Sequence, residues 1–363
     1  MSPTPFAVPV VDLARPHAEV VAAIDRACTE VGFLQLVGHG VPDEVVAGLV
    51  AALDQFFALP DADKRALRRP PEENRGYVPP RTEAQSLSLG VQPADMMNDF
   101  FEAYGVGRGL ADYPASSGVA AVADHASYGE HYAPSVWPDL PGWREAVERY
   151  LGEAERVART LVALFEDALG LDRGELAALD RHPISVMRLI NYALDEGTAV
   201  HLDGDLRGMG EHTDYGLLTV LWADRVAGLQ VLAADGTWHD VMPADGALLV
   251  NLGDLTARLT NDRWSSTLHR VRPPVVDGTI RRRRSAAYFH DADADAVVAP
   301  LPGCVDDAHP ARYSPVTVDE HVRAKVAGSN AGVVNHAAVR ERARLGPGAG
   351  TPAVVSPPTA SRR

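Results

Sequence analysis

Gly210-Glu211-His212-Thr213-Asp214-Tyr215-Gly216-Leu217-Leu218-Thr219-Val220-Leu221 passes from a polar start straight into an apolar strand. His212 and Asp214 stand two residues apart, so on an extended segment both side chains leave the same face and can grip one ion. On a helix they would splay. A second histidine, His269, follows 55 residues after the aspartate (269 − 214 = 55), in the strand-like stretch Leu268-His269-Arg270-Val271. Two imidazoles and one carboxylate take three positions on one face of a metal and leave the rest open, a donor set suited to non-haem Fe(II). Arg283 and Ser285 share the same i, i+2 relation, so a second strand would present a guanidinium and a hydroxyl together to a carboxylate. A lone His-x-Asp says little, since a chain with 13 histidines yields the pattern by chance in solvated turns. Its surroundings give it weight.

Outward from that stretch the chain changes character. From Pro183 the pattern predicts short β segments at Ile184–Tyr192, Leu217–Trp222, Leu229–Ala233, Trp238–Met242, Ala247–Leu252, Leu268–Arg272 and Arg283–Phe289. Asp235-Gly236 and Asp277-Gly278 are hairpin signals, and Asp245-Gly246 is a further turn. Many short strands punctuated this way indicate a sandwich or jelly roll. Within the last segment alternation sends Arg281 and Arg283 inward, and Arg282 and Arg284 outward. The earlier part is helix-rich. Val45, Val46, Leu49, Val50, Leu53 and Phe57 recur at helical spacing after Pro42-Asp43, and a longer stripe runs from Gly142 to Ala168 with Gly170 as its stop.

The 363 residues are 46% hydrophobic, enough for a sizeable core. A net charge of −15 argues against a nucleic-acid partner, which needs a basic footprint. The sequence holds no apolar run of membrane-spanning length and no basic-then-apolar leader, so the expected location is cytoplasmic. Two cysteines cannot build a disulfide framework; Cys28 reads as helix core and Cys304 as a loop thiol. Beyond about Gly328 the composition turns to Pro, Gly, Ala and Ser, and this tail is expected to be disordered. The residues leave a monomer or a weak homo-oligomer equally open.

At this point the chain resembles the isopenicillin N synthase-like, 2-oxoglutarate- and Fe(II)-dependent dioxygenases. The likeness extends to Val8-Pro9-Val10-Val11-Asp12-Leu13, to Gly32-Phe33-Leu34-Gln35-Leu36-Val37-Gly38-His39-Gly40-Val41-Pro42, and to Phe56-Phe57-Ala58-Leu59-Pro60 followed by Lys64. Arg75-Gly76-Tyr77 and Glu102-Ala103-Tyr104-Gly105-Val106-Gly107 continue it in order, so that it covers about residues 6 to 327. One departure lies on the strand before the ligands, where plant members carry Asn-Tyr-Tyr-Pro and this chain has Ile190-Asn191-Tyr192-Ala193. Alternation puts Ile190 and Tyr192 on one face and Asn191 on the other, which makes Tyr192 the inward residue. A polar stretch, Asp195 to Arg207, replaces the usual Pro-rich turn.

The resemblance implies an α+β fold with a mainly β core: a double-stranded β-helix, or jelly roll, flanked by helices. Residues 1–175 would form the helix-rich region packed on the barrel, 176–327 the jelly-roll core and 328–363 the tail. It further implies Fe(II) on His212, Asp214 and His269, with O2 and 2-oxoglutarate as cosubstrates and the far carboxylate of 2-oxoglutarate on Arg283, Ser285 and Tyr192. The implied reaction is hydroxylation, desaturation or cyclisation of a small molecule such as a secondary metabolite, with release of succinate and CO2. Related halogenases have glycine or alanine in place of the carboxylate, so Asp214 disfavours halogenation. Two alternatives remain: an isopenicillin N synthase-type oxidase that uses no 2-oxoglutarate, and a metal- or ligand-binding protein without turnover. Arg81, Glu102 and Tyr104 are weaker substrate candidates, His39 reads as a turn residue, and His290 either lines the pocket or caps its strand. The five tryptophans, Trp137, Trp143, Trp222, Trp238 and Trp264, read as packing.

Overall fold

The structure, a computed structural model, describes residues 6–89, 99–124, 128–193, 208–276 and 279–331, together with 335, 338 and 343. In chain order the strands are β1 (Val10–Asp12), β2 (Phe33–Val37), β3 (Gly76–Val78), β4 (Glu102–Gly107) and β5 (Val186–Tyr192). There follow β6 (Met209–His212), β7 (Leu218–Ala223), β8 (Leu229–Leu232), β9 (Trp238–Asp240), β10 (Leu248–Leu252) and β11 (His269–Val271). A short pair, β12 (Val275–Val276) and β13 (Thr279–Ile280), precedes β14 (Arg283–His290), and β15 (Val297–Val298) pairs with β16 (Val316–Thr317). The helices are α1 (His17–Glu30), α2 (Asp43–Phe57), α3 (Asp61–Arg65), α4 (Val119–Ala123), α5 (Trp143–Leu169), α6 (Asp254–Leu259) and α7 (Val318–Ala331). All seven β segments expected after Pro183 are present, their ends shifted by two residues at most.

Eight strands form the large sheet in the order β1-β2-β10-β7-β14-β5-β4-β3, antiparallel except for β1 beside β2. Four form the smaller sheet, β6-β11-β8-β9. Strand alternation divides the large sheet between two cores. Met187, Leu189, Leu248, Val250, Ala286 and Tyr288 face the helices, where they pack with Ile24, Leu49, Val157 and Leu161 from α1, α2 and α5. Their neighbours Ile190, Tyr192, Leu249 and Ala287 face the smaller sheet and meet its Leu229, Val231 and Val271. This is the double-stranded β-helix with flanking helices. Gly170 closes α5 with φ +68°, and Gly236 and Gly246 occupy left-handed turn positions, as their sequence contexts predict.

Three boundaries differ from expectation. The division at 175/176 runs through one sheet, because β1 to β4 all come from the helix-rich part. The disordered tail expected from 328 starts inside α7, whose Gly328 and Ser329 are buried; Ser329 also accepts the Ala84 N–H at 3.0 Å, and Asn335 donates to Ser88 at 3.1 Å. Composition could not show that a Gly/Ser/Ala-bearing segment has a partner on the barrel. Arg281 is exposed rather than inward, because β14 begins only at Arg283 and alternation does not reach back to it. Residues 195–207 and the Asp277-Gly278 signal lie outside the described residues.

Candidate active site

His212 ends β6, and His269 begins the neighbouring strand β11 directly opposite it in register. The two imidazole rings lie 4.2 Å apart, and each Nε2 faces Asp214 Oδ1, at 3.7 and 3.6 Å. These distances gather one donor atom from each residue into a single cluster. His212 Nδ1 donates to the Gly210 carbonyl at 2.8 Å and His269 Nδ1 to the Thr267 carbonyl at 3.1 Å. A carbonyl can only accept, so Nδ1 carries the proton and the Nε2 lone pairs point at the shared position. Burial, then the charge of His269, holds His212 down at about 3, against the pull of Asp214, and so keeps it neutral for ligation. On Asp214 the other oxygen, Oδ2, accepts Asn251 Nδ2 at 2.7 Å and the Thr219 hydroxyl, which leaves Oδ1 for a metal. Two imidazoles anchored through Nδ1 with their Nε2 atoms converging, and one free carboxylate oxygen, fit Fe(II).

A cavity of about 320 Å³ opens on this cluster. Its floor is the inward face of β14 and β5, where Arg283 pairs in register with Tyr192, Ser285 with Ile190, Ala287 with Arg188 and Phe289 with Val186. Arg283 is 2% exposed, lies 5.2 Å from the Tyr192 ring and reaches the Ser285 hydroxyl at 3.5 Å. Its Nε has no hydrogen-bond partner, and no carboxylate pairs with it among the described residues. Burial raises Tyr192 to about 12 despite that guanidinium, so its hydroxyl stays a donor. A buried, unpaired guanidinium is costly and calls for an anion.

The other walls carry residues the sequence did not single out. Arg188 makes a two-pronged ion pair with Glu83, 3.0 Å at each prong, and Tyr215 donates to Gln85 at 3.0 Å. Asp291, at the end of β14, is 8% exposed; burial, then the charge of Asp214, pushes it up to about 8. Over the top lies α7, contributing Val322, Val326, Ser329 and Asn330. Behind the ligands, Lys325 Nζ pairs with Asp254 at 2.7 Å and donates to Thr213 at 3.1 Å, while Asp254 accepts Ser266 at 2.7 Å. This buried hub ties the helix to both ligand segments.

Three sequence candidates fall away from the cavity. Glu102 faces outward on β4, taken up by Lys64, Tyr77 and Asn191 at 2.7, 2.7 and 2.8 Å. Tyr104 points into the helical core and donates to the Val136 carbonyl. Arg81 is a loop residue with φ +60° that is absent from the cavity wall. His290 is structural: it is fully buried on the helix side and bonded to Asp180 at 2.9 Å. His39 braces its turn, accepting the Val41 N–H and meeting the Gly246 carbonyl. Trp143 and Trp264 are completely buried in the helical core.

Residues 8–140 match the family described as non-haem dioxygenase in morphine synthesis, N-terminal, and residues 184–292 match the 2OG-Fe(II) oxygenase superfamily. The 2-oxoglutarate-Fe(II) type oxidoreductase hxnY of Emericella nidulans is 32% identical over 332 residues, covering 88% of this chain and 89% of its own. Gibberellin 20 oxidase 3 of Oryza sativa subsp. japonica is 36% identical over 319 residues, with 86% and 79% covered. Among solved structures, a Neurospora crassa protein in complex with alpha-KG and thymine superimposes with a TM-score of 0.73 at 24% identity, covering 88% of this chain and 96% of that one, a likeness of fold. The chain belongs to the 2-oxoglutarate- and Fe(II)-dependent oxygenases. Fe(II), 2-oxoglutarate and O2 are its cofactor and cosubstrates.

Proposed function

We propose that His212, Asp214 and His269 hold the iron, and that Arg283, Ser285 and Tyr192 take the far carboxylate of 2-oxoglutarate. The observation that carries this is Arg283: a buried cation with no carboxylate partner among the described residues, in the same cavity as His212, Asp214 and His269. A guanidinium, a hydroxyl and a phenol around one point suit a carboxylate, and the guanidinium alone can make two parallel hydrogen bonds. Bound Fe(II) supplies the redox centre at which O2 is reduced as 2-oxoglutarate goes to succinate and CO2. The protein's own part is to aim two Nε2 atoms and one carboxylate oxygen at a single point and to roof the chamber with α7.

The remaining space, lined by Ile184, Val186, Arg188, Phe289 and Asp291, receives the substrate. A chamber of this size favours a small molecule over a nucleic acid, in line with the net charge of −15. The relatives named gibberellin 20 oxidase and clavatol oxidase support a secondary metabolite that is hydroxylated, desaturated or cyclised. The match to the 2OG-Fe(II) oxygenase superfamily and the relative named 2-oxoglutarate-Fe(II) type oxidoreductase favour use of 2-oxoglutarate over the isopenicillin N synthase-type route and over a binding protein without turnover. No helix among the described residues is long and apolar enough to cross a membrane, and the free thiols Cys28 and Cys304 support a reducing, cytoplasmic setting.

The test begins with the wild-type enzyme: succinate should form from 2-oxoglutarate in step with O2 consumed. Arg283→Met should then weaken 2-oxoglutarate use by roughly 10- to 100-fold, the loss of a charge-assisted contact of about 1.5–3 kcal/mol, with a far smaller change in substrate affinity. Arg283→Lys should restore only part of it. Full substrate oxidation without 2-oxoglutarate would overturn the assignment.

A further inference from the structure

We propose that Asp291 binds a basic nitrogen of the substrate, so that the molecule oxidised here is a small amine held with its ammonium group beside the metal ligands. This rests on the oxygenase reading above and names the substrate class of the same cavity.

Position comes first. Asp291 is the residue after β14, and the preceding His290 carbonyl accepts the Leu217 N–H at 2.9 Å, which pins it to the segment that follows the ligands. Gly216, two residues after Asp214, makes room for it: a Cβ there would come within 2.2 Å of Asp291 Oδ1. The carboxyl therefore borders the cavity close to the ligand segment. It lies at the other end of β14 from Arg283, eight residues along the chain.

The second observation is that nothing answers this group. Oδ1 is buried without a hydrogen-bond partner, and no donor or cation reaches either oxygen among the described residues; only the backbone N–H of Asp291 is bonded, to Ser185. The other cations that line the cavity are committed elsewhere, Arg188 to Glu83, Arg323 to Asp319 and Glu130, and Arg75 to the Arg108 and His131 carbonyls. Nor is Asp291 gathered with His212, Asp214 and His269 as a fourth ligand. A hydroxyl from the substrate would fill one hydrogen bond, whereas an ammonium group fills it and also brings the counter-charge with which a buried carboxyl can ionise. Ile184, Val186 and Phe289 line the same cavity and supply an apolar bed for the carbon skeleton.

Probe sets that differ only in charge test this on the enzyme loaded with Fe(II) and 2-oxoglutarate under anaerobic conditions. Phenethylamine, 2-phenylethanol and phenylacetate form one set; hexylamine, hexanol and hexanoate form a second, each titrated calorimetrically. In the wild type the amine should bind roughly tenfold or more tighter than its alcohol, with the carboxylate weakest. Asp291→Asn, which keeps the shape, should bring amine and alcohol to within about twofold while iron and 2-oxoglutarate still bind. Alcohol or carboxylate matching the amine in the wild type would overturn the proposal, whether or not the variant folds. Survival of the preference in Asp291→Asn would overturn it equally. Iron and 2-oxoglutarate binding and succinate formation are measured alongside; their loss sinks the oxygenase reading, whereas their presence without an amine preference sinks this inference alone.

Discussion

The strand-built walls of the cavity and its helical roof hold functional groups by different means. On the walls, alternation does the placing: Arg283 and Ser285 face inward because β14 is regular, Tyr192 because it pairs with Arg283, and His212 meets His269 through the β6–β11 register. The roof, α7, is held by the buried ion pair of Lys325 with Asp254, by Asp319 on His131 and Arg323 on Glu130, and by contacts to residues distant in sequence such as Ala84. Groups on the walls are replaceable without unmaking the wall, since the backbone ladder persists. A group that fastens the roof is part of what keeps the roof closed.

The largest expected effect lies on the walls and concerns chemistry alone. His212→Ala and His269→Ala should each bind Fe(II) roughly 100-fold or more weakly, beyond what losing an outer partner of a ligand costs, and lose turnover. Both should keep the circular dichroism and the melting transition of the metal-free wild type. Stoichiometric iron with full turnover in both variants would break the ligand assignment. A collapse of the fold in either would break the comparison itself.

Next comes the roof. Lys325 is 2% exposed, and Lys325→Met leaves the Asp254 carboxylate buried without its cation, a loss of about 3–5 kcal/mol in unfolding free energy. Adding Asp254→Asn should recover part of that loss, because the stranded charge goes with it. A chain ended after Ala324 should lose turnover as well, since Val326, Ser329 and Asn330 leave the cavity wall with the anchor. Denaturant unfolding of the three variants checks this. Wild-type stability in Lys325→Met would show that the pair fastens nothing.

How far each region could be read from the sequence follows the same division. Period-two alternation is local, so the strands, the inward face of Tyr192 and the outward face of Asn191 were legible in a few residues each. Arg188, four residues before Tyr192 on the same face, was open to the same logic, and Asn251 stands out as the one polar residue in Leu248-Leu249-Val250-Asn251-Leu252. The roof offered no such pattern. Lys325 finds Asp254 71 residues away (325 − 254 = 71), and a Gly/Ser/Ala-containing stretch after it suggested a loose tail. Glu102 failed as a substrate candidate for a related reason: its partners Lys64 and Tyr77 come from elements that only the folded sheet brings beside it.

The smallest expected effect sharpens the roof's side of the comparison through pH. His321, on α7, is buried with its Nε2 unpartnered and 3.7 Å from Asp254. Burial lowers it from 6.5 to about 3, with Lys325 and Arg258 adding to the shift and Asp254 opposing it. The sign follows: the unfolded chain takes up this proton near 6.5 and the folded one does not, so stability is complete above that pH and declines as pH falls toward 3. The contribution approaches about 1.4 kcal/mol per pH unit within the window. His321→Asn, which stays polar and removes the titration, should flatten this limb, so that the difference between variant and wild type shifts by about 1 kcal/mol between pH 7 and 5.5. Unfolding midpoints across that range measure it, and a constant difference would show that His321 stays unprotonated in both states or titrates alike in both.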